Sequence, residues 1–330
     1  MGHNYDLVTF GETMIRLSPL NFRRLEQTSL LDVNVGGSEL NVAVAAQRLG
    51  LGVAYVTRLT NNPLGRMIAN KAREHGVDTS YIVWTDDDRV GTYFVEFGAS
   101  PRPNSVVYDR RDSAIARICP GEVDWDAIFK GVKMFHTSGI TPALSPTAAK
   151  ATKEAVRKAK DTGIKVSIDL NYRALLWSQE KAREVMSELV DAADILITTE
   201  EDTERVFGIK KDNYEEVAKA LAEQFHLGAV AITLRETPSV QQNTWTAIAY
   251  ANGKIHRGPK FKIEVVDRVG AGDSFTGGFL YGYLTGGPQT GVNYGVAISA
   301  LKQTNPGDLC WASLKEVERL LEGGGLRIVR

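Results

Sequence analysis

Cysteine is scarce: Cys119 and Cys310 are the only two in 330 residues. Two thiols make no disulfide framework, so a reducing cytosol is the natural setting and a cytoplasmic location is expected. No apolar run reaches the roughly 18 residues needed to cross a bilayer. The opening "MGHNYDLVTFGE" has no basic stretch ahead of an apolar one, so no secretory leader is read there. Neither sign of charge is in excess, with 39 Lys plus Arg against 40 Asp plus Glu and a net charge of −1. That balance gives no electrostatic case for a nucleic-acid partner or a membrane surface. Two phosphate-binding patterns are missing as well. No glycine is followed by Lys-Ser or Lys-Thr, as a Walker A loop requires, and no G-x-G-x-x-G follows the first strand. P-loop enzymes and simple dinucleotide-binding dehydrogenases are thereby disfavoured. The five histidines (His3, His75, His136, His226, His256) are scattered without ligand spacing. None is assigned to catalysis, and His136, inside a strand, reads as a core residue.

What is present is an alternation of apolar runs and amphipathic stretches. "YDLVTFG" reads as a buried first strand. "VGGSELNVAVAAQRLG" opens a helix with Ser38 as its cap, and Leu40, Ala43, Val44 and Leu49 fall near helical spacing. "VAYVTRL" is the next strand. The helix after it has Asn62 as cap and Pro63 at its first position. Strand and helix then repeat from "VKMFHTSG" to "GAVAITL", which argues for a parallel sheet covered by helices. Two segments break the rhythm. Residues 12–35 read as exposed strands. Residues 89–110 read as a hairpin turning at 98–104. "TWTAIAYANGKIHR" reads as a second hairpin with its turn at Asn252 and Gly253. The fold expected is α/β, a doubly wound, Rossmann-like parallel sheet with helices on both faces and a small inserted β-sheet lid. The core would comprise residues 1–11, 37–88 and 119–330, and the lid residues 12–36 and 89–118.

Chemistry concentrates in "DRVGAGDSFTGGF" (residues 267–279). Glycines let successive N–H groups converge on one point, and the positive end of the following helix adds to that field. Gly270, Ala271 and Gly272 would form an anion hole for a transferring phosphoryl group. Asp273 would accept the proton of an attacking hydroxyl, help worth roughly 10²–10⁴ in rate. The plainer alternative is that Asp273 only caps its helix.

The same stretch resembles the C-terminal signature D-T-x-G-A-G-D of the PfkB/ribokinase family of carbohydrate kinases. "VGGSELNVAVAAQRLG" is similar to the family's N-terminal diglycine signature, more than 200 residues earlier. "FHTSGITPALSP", "SIDLNYRALLWS" and "KQTNPGDLCWASLKEVERLLEGG" resemble the 2-keto-3-deoxygluconate kinase branch. The resemblance implies ATP-dependent phosphorylation of a sugar acid's terminal hydroxyl, with Mg²⁺ and a lid that pairs two copies into a homo-oligomer. It implies substrate contacts at Gly37, Asn41, Tyr93, Tyr108, Arg110, Ile140, Arg173 and Asp308. An arginine at position 110 would suit a carboxylate, as a paired contact; the alternative is an exposed strand arginine. Arg173 reads either as a substrate or phosphate contact or as a surface ion pair, and Asp308 either as a substrate partner or as a turn residue. ATP contacts would come from Asn171, Arg173, Thr233, Arg235, Glu236, Gly270 and Gly272.

Three departures from the family pattern stand out. Where N-x-x-E is common, this chain has Thr199, Glu200, Glu201 and Asp202, so Glu200 and Asp202 would act on Mg²⁺ through water. The turn after "TL" reads "RETPSVQQ" and lacks glycine. Arg268 stands in place of the commoner threonine, leaving Asp267 and Val269 as a candidate monovalent-cation site. Alternatives to the sugar acid are fructose, ribose or 5-dehydro-2-deoxygluconate. A non-catalytic sugar-binding relative would have no use for the base.

Overall fold

In the computed structural model, which describes residues 5–324, the chain opens with β1 (Leu7–Phe10) and leaves it for β2 (Met14–Pro19) and β3 (Leu31–Gly36). It returns through helix α1 (Ser38–Arg48) to β4 (Val53–Val56). A parallel pair, β5 (Arg58–Thr60) and β6 (Val83–Thr85), brackets α2 (Pro63–Glu74). A hairpin follows, β7 (Thr92–Glu96) and β8 (Ser105–Asp109). Then come α3 (Trp125–Ile128), β9 (Met134–Ser138), α4 (Ile140–Ala143), α5 (Pro146–Asp161), β10 (Lys165–Asp169), α6 (Gln179–Asp191), β11 (Ile195–Thr198), α7 (Glu200–Phe207), α8 (Tyr214–Gln224) and β12 (Ala229–Ser239). Three antiparallel strands, β13 (Gln242–Ala251), β14 (Lys254–Arg257) and β15 (Phe261–Glu264), precede α9 (Ala271–Gly286), α10 (Pro288–Lys302) and α11 (Leu314–Leu321).

The main sheet runs β14-β13-β12-β11-β10-β9-β1-β4, with β15 also on β13. From β4 to β12 every pairing is parallel. Such strands are buried on both faces, so they read as continuous apolar runs rather than as an alternation. Neighbouring residues nevertheless serve different cores. Val8, Leu196 and Val230 pack with residues of α5, α6 and α8, such as Val156, Met186 and Leu221. Leu7, Ile195 and Ala229 pack with residues of α1, α2 and α9, such as Val44, Ile68 and Phe275. Fully burying a side chain such as Phe275 or Phe279 contributes roughly 1.5–3 kcal/mol. α9 can press against α1 because Gly277 carries no side chain: a Cβ there would lie 2.7 Å from both the Ala45 Cβ and the Val42 carbonyl.

The smaller sheet runs β3-β2-β7-β8. β2 departs from the expectation of exposed strands in this segment. It lies between β3 and β7 and is buried almost throughout, and Arg16 is only 1% exposed. Two carboxylates make that burial tenable, as described below. Two further readings change. α1 is capped by Gly37, and Ser38 is its first helical residue, with its hydroxyl spent across the helix rather than on its own backbone. The glycine-free segment after β12 is no loop: β12 continues to Ser239 and pairs along β13, with Arg235 opposite Trp245 and Glu236 opposite Thr244. β-branched and aromatic residues here extend the ladder where a glycine would have ended it. The Asn62 cap, Pro63 behind it and the left-handed Asn252 and Gly253 between β13 and β14 are as the sequence reads.

Candidate active site

β1 has β4 on one side and β9 on the other, and later strands step away from that point. Ligands in such sheets bind at this reversal, outside the carboxyl ends of the strands. A cavity of about 650 Å³ lies there. Its wall is made by the residues that follow the strand ends: Glu12 after β1, Ile140 after β9, Asn171 and Arg173 after β10, Thr199, Glu200 and Asp202 after β11, and Thr233 and Arg235 on β12. α9 brings Gly270, Ala271, Gly272 and Asp273, α1 brings Gly37 and Asn41, and the smaller sheet brings Tyr93, Tyr108 and Arg110. Asp308 completes it. Of the site residues expected from the sequence, Asp267 and Glu236 lie outside the wall; Asp267 is buried against Arg16, and Glu236 is turned away. Glu236 follows Arg235 on the strand and pairs with Lys260 at 2.9 Å on the exposed side.

Asp273 does not cap its helix. Gly270 does, at φ 80, with no side-chain capping bond. Asp273 instead accepts from the Ser38 hydroxyl at 2.8 Å and from the Asn41 amide at 2.7 Å, one donor per oxygen. Asn171 donates to the Ser38 hydroxyl at 3.0 Å and so orients it. Burial pushes the Asp273 carboxyl above the ordinary carboxylate range, against the two hydrogen bonds, which favour its charge. A side chain at Gly270 would also put a Cβ 2.2 Å from the Asp308 carbonyl. Of the three N–H groups expected to form an anion hole, that of Ala271 is turned away, onto the Arg268 carbonyl at 3.2 Å. The N–H groups of Gly270, Gly272 and Asp273 have no chain partner among the described residues. They belong to the first turn of a helix, where donors are unsatisfied by construction.

At the end of the cavity under the smaller sheet, Tyr93 and Tyr108 face each other across β7 and β8 with rings stacked at 5.9 Å. The Tyr93 hydroxyl donates to Asp308 at 2.5 Å. Asp308 is no exposed turn residue: it is 1% exposed and also accepts from Arg16 at 3.1 Å. Arg110 is buried against Glu12, with which it forms an ion pair, and lies over the Tyr108 ring at 5.1 Å. Its Nε has no hydrogen-bond partner.

At the other end, Asp169 accepts from the Asn171 N–H at 3.0 Å and from Thr276 at 3.3 Å. Burial, and then the charges of Asp273 and Asp202, push its carboxyl up to about 8. Burial likewise raises Asp202, while Arg173 opposes the shift. Arg173 makes no ion pair among the described residues, so it is not tied down at the surface. Thr199 caps α7, accepting from the Asp202 N–H at 3.1 Å. Asp273 and Asp202 thus raise the proton affinity of Asp169, and an arriving cation would relieve that repulsion. Among the described residues no group of three or more metal-binding side chains is placed to hold an ion.

Sequence reasoning missed both partners of Asp273, reading Ser38 as a helix cap and Asn41 as a substrate contact, and it missed Asp169, Glu12, Arg16 and Glu39. Asp169 ends a strand in "SIDLN", and that position was the available clue. Glu39 is wholly buried, and one of its oxygens accepts from the Ser138 N–H and hydroxyl and from Thr141, which fixes the turn before Ile140. No pattern in a single sequence marks it. His136 is buried in β9, its ring pushed down to about 3 by that burial, as a core residue should be. His3 lies outside the described residues.

Comparison with known proteins adds the following. Residues 4–310 match the model of the pfkB family carbohydrate kinases. A 2-dehydro-3-deoxygalactonokinase of Haloferax volcanii is 41% identical over 326 residues, covering 98% of this chain and 99% of the relative. A 5-dehydro-2-deoxygluconokinase of Bacillus licheniformis is 32% identical, over 90% of this chain and 89% of the relative. The crystal structure of a 2-dehydro-3-deoxygluconokinase of Thermotoga maritima superposes with a TM-score of 0.94 at 43% identity, covering 97% of this chain and 99% of that one.

Proposed function

The chain belongs to the pfkB family of carbohydrate kinases and is a sugar phosphotransferase; from that premise we propose that it transfers the γ-phosphoryl group of ATP to the terminal (6-) hydroxyl of 2-keto-3-deoxygluconate. The observation that carries the reading is the Asp273 carboxylate, held by Ser38 and Asn41 beside three unpaired helix N–H groups. In this account the sugar hydroxyl lies against Asp273, which takes its proton as the O–P bond forms and the bond to ADP breaks. The Gly270, Gly272 and Asp273 N–H groups meet the charge on the transferring oxygens, where one such donor is worth on the order of 10²–10³ in rate. Arg173 and Arg235 hold the phosphate chain. Glu200 and Asp202 would hold Mg²⁺ through water, and the ion would supply positive charge against the phosphate charge. Arg110 receives the sugar's carboxylate, and Tyr93, Asp308, Gly37 and Asn41 position its hydroxyls.

Residues 12–36 and 89–118 act as a lid over the sugar in this reading. Leu31, Val33, Val106 and Val107 are exposed on the smaller sheet's strands, and a second copy of the chain would cover them. The experiment is an ADP-release assay across 2-keto-3-deoxygluconate, its galactonate epimer, 5-dehydro-2-deoxygluconate, fructose and ribose. The reading expects the highest kcat/KM on a 2-keto-3-deoxy acid. Preference for a neutral sugar would overturn it, and preference for 5-dehydro-2-deoxygluconate would favour the function of the Bacillus licheniformis relative.

A further inference from the structure

Lys302, the last residue of α10, is fully buried, and its ammonium donates to the Asp267 carbonyl at 2.9 Å. It lies beneath the loop that leads to the first turn of α9. Asp267, Asp308 and Arg16 are its charged neighbours, each 1% exposed. Asp267 is fully engaged: one carboxylate oxygen accepts from the Val269 N–H at 3.0 Å, and the other from Arg16 at 2.6 Å and the Gly307 N–H at 3.0 Å. These residues do not fit a monovalent cation. The Asp267 carboxylate is already taken by Arg16 and two backbone donors, and its carbonyl by Lys302.

We propose that Lys302 is a resident cation that holds the Asp267–Gly270 loop, and through it the anion hole, so that turnover needs no added monovalent cation. The proposal rests on the role given above to the α9 N–H groups. A buried ammonium is costly to keep: burial drives its proton affinity down, while the neighbouring charges of Asp267 and Asp308 push the other way. With its charge in place, the carbonyl of Asp267 stays turned toward α10, and the N–H groups of Gly270, Gly272 and Asp273 stay free for the cavity. Lys302 therefore acts as a positioning residue, without touching substrate.

The test compares KCl with tetramethylammonium chloride at equal ionic strength, reading kcat, KM and Tm. The wild-type protein should show kcat within twofold and the same Tm in both salts. Lys302→Ala should lose on the order of 10²-fold in kcat in tetramethylammonium, with the sugar KM within a few-fold. Potassium should restore at least tenfold and raise its Tm by a few degrees, because a bound ion stabilises the folded state. Lys302→Met, which fills the space without charge, should lose kcat and gain nothing from potassium. Wild-type dependence on potassium would overturn the proposal, as would wild-type kcat in Lys302→Met. If neither variant folds, the wild-type salt comparison decides. The Tm comparison involves no sugar. A protein inactive on every sugar offered would sink the substrate reading and leave Tm to judge Lys302.

Discussion

Replacing Arg110 alone would confuse two effects, because its guanidinium is the buried partner of Glu12. Leaving that carboxylate unpaired costs about 3–5 kcal/mol of stability. A double variant, Arg110→Gln with Glu12→Gln, removes both charges and leaves amides that can still bond to each other and to Ser113, which now donates to Glu12 at 3.1 Å. Its Tm should stay near that of the wild type. If Arg110 receives the substrate's carboxylate as proposed, that charged contact is what the double variant loses. A hydrogen bond to a charged group is worth about 1.5–3 kcal/mol, which converts to a roughly 10- to 150-fold drop in kcat/KM at about 1.36 kcal/mol per tenfold. The loss should fall mainly on KM, since the carboxylate is remote from the reacting hydroxyl and binds equally in ground and transition states. Coupled ADP release with 2-keto-3-deoxygluconate and with fructose reads the difference. The reasoning is refuted if the folded double variant keeps wild-type kcat/KM on the acid, or if both sugars suffer equally.

Three further outcomes are expected. Burial and neighbouring charge push the Asp169 carboxyl up to about 8, so it is largely protonated at pH 7; Mg·ATP binding there should release protons, seen as a dependence of calorimetric heat on buffer ionisation, and a heat independent of buffer would contradict this. Asp169 and Glu39, the latter pushed up to about 7 by burial, both bind protons more tightly folded than unfolded, where carboxyl pKa values are roughly 4. Their stabilising contribution is present below that value and is lost as pH rises through 7 and 8, so the Tm of the ligand-free protein should fall between pH 6.5 and 8.5, and a rising Tm would count against these assignments. Gly270→Ala should lower kcat by on the order of 10²-fold and lower Tm as well, because a left-handed φ of 80 and a Cβ 2.2 Å from the Asp308 carbonyl both oppose a side chain; unchanged kcat would show that the anion hole tolerates displacement.

The core of the fold was legible because parallel strands announce themselves. "DILITT" and "GAVAITL" are apolar on both faces, and caps such as Asn62 with Pro63 mark helix starts by local chemistry alone. The smaller sheet was legible as strands but not as burial. Arg16 in an alternating strand reads as solvent-facing, and only Asp267 and Asp308, 251 and 292 residues away, make its burial tenable. The turn at Gly270–Asp273 and the strand end before Arg173 carry local signatures, whereas Tyr93, Tyr108, Arg110, Ile140 and Asp308 in the cavity wall were expected only through the family resemblance. The partners of Asp273 were not legible: Asn41 reads as a substrate contact and turns out to bond the carboxylate itself. Ser38 satisfies every local rule for a helix cap, and its hydroxyl is diverted by a carboxylate 235 residues further on. Lys302 gave no hint at all, since a lysine ending a helix is also what a solvated, dipole-complementing residue looks like.

Asp273→Asn tests the central claim most directly. The Asn41 amide can still donate to the remaining oxygen, and the Ser38 hydroxyl can turn to accept from the new amide, so fold and ATP binding should persist. Loss of a general base predicts a kcat lower by about 10²–10⁴, or roughly 3–5 kcal/mol of barrier, with KM for the sugar acid little changed. A folded, ATP-binding Asp273→Asn protein that turns over at near the wild-type rate would contradict the account.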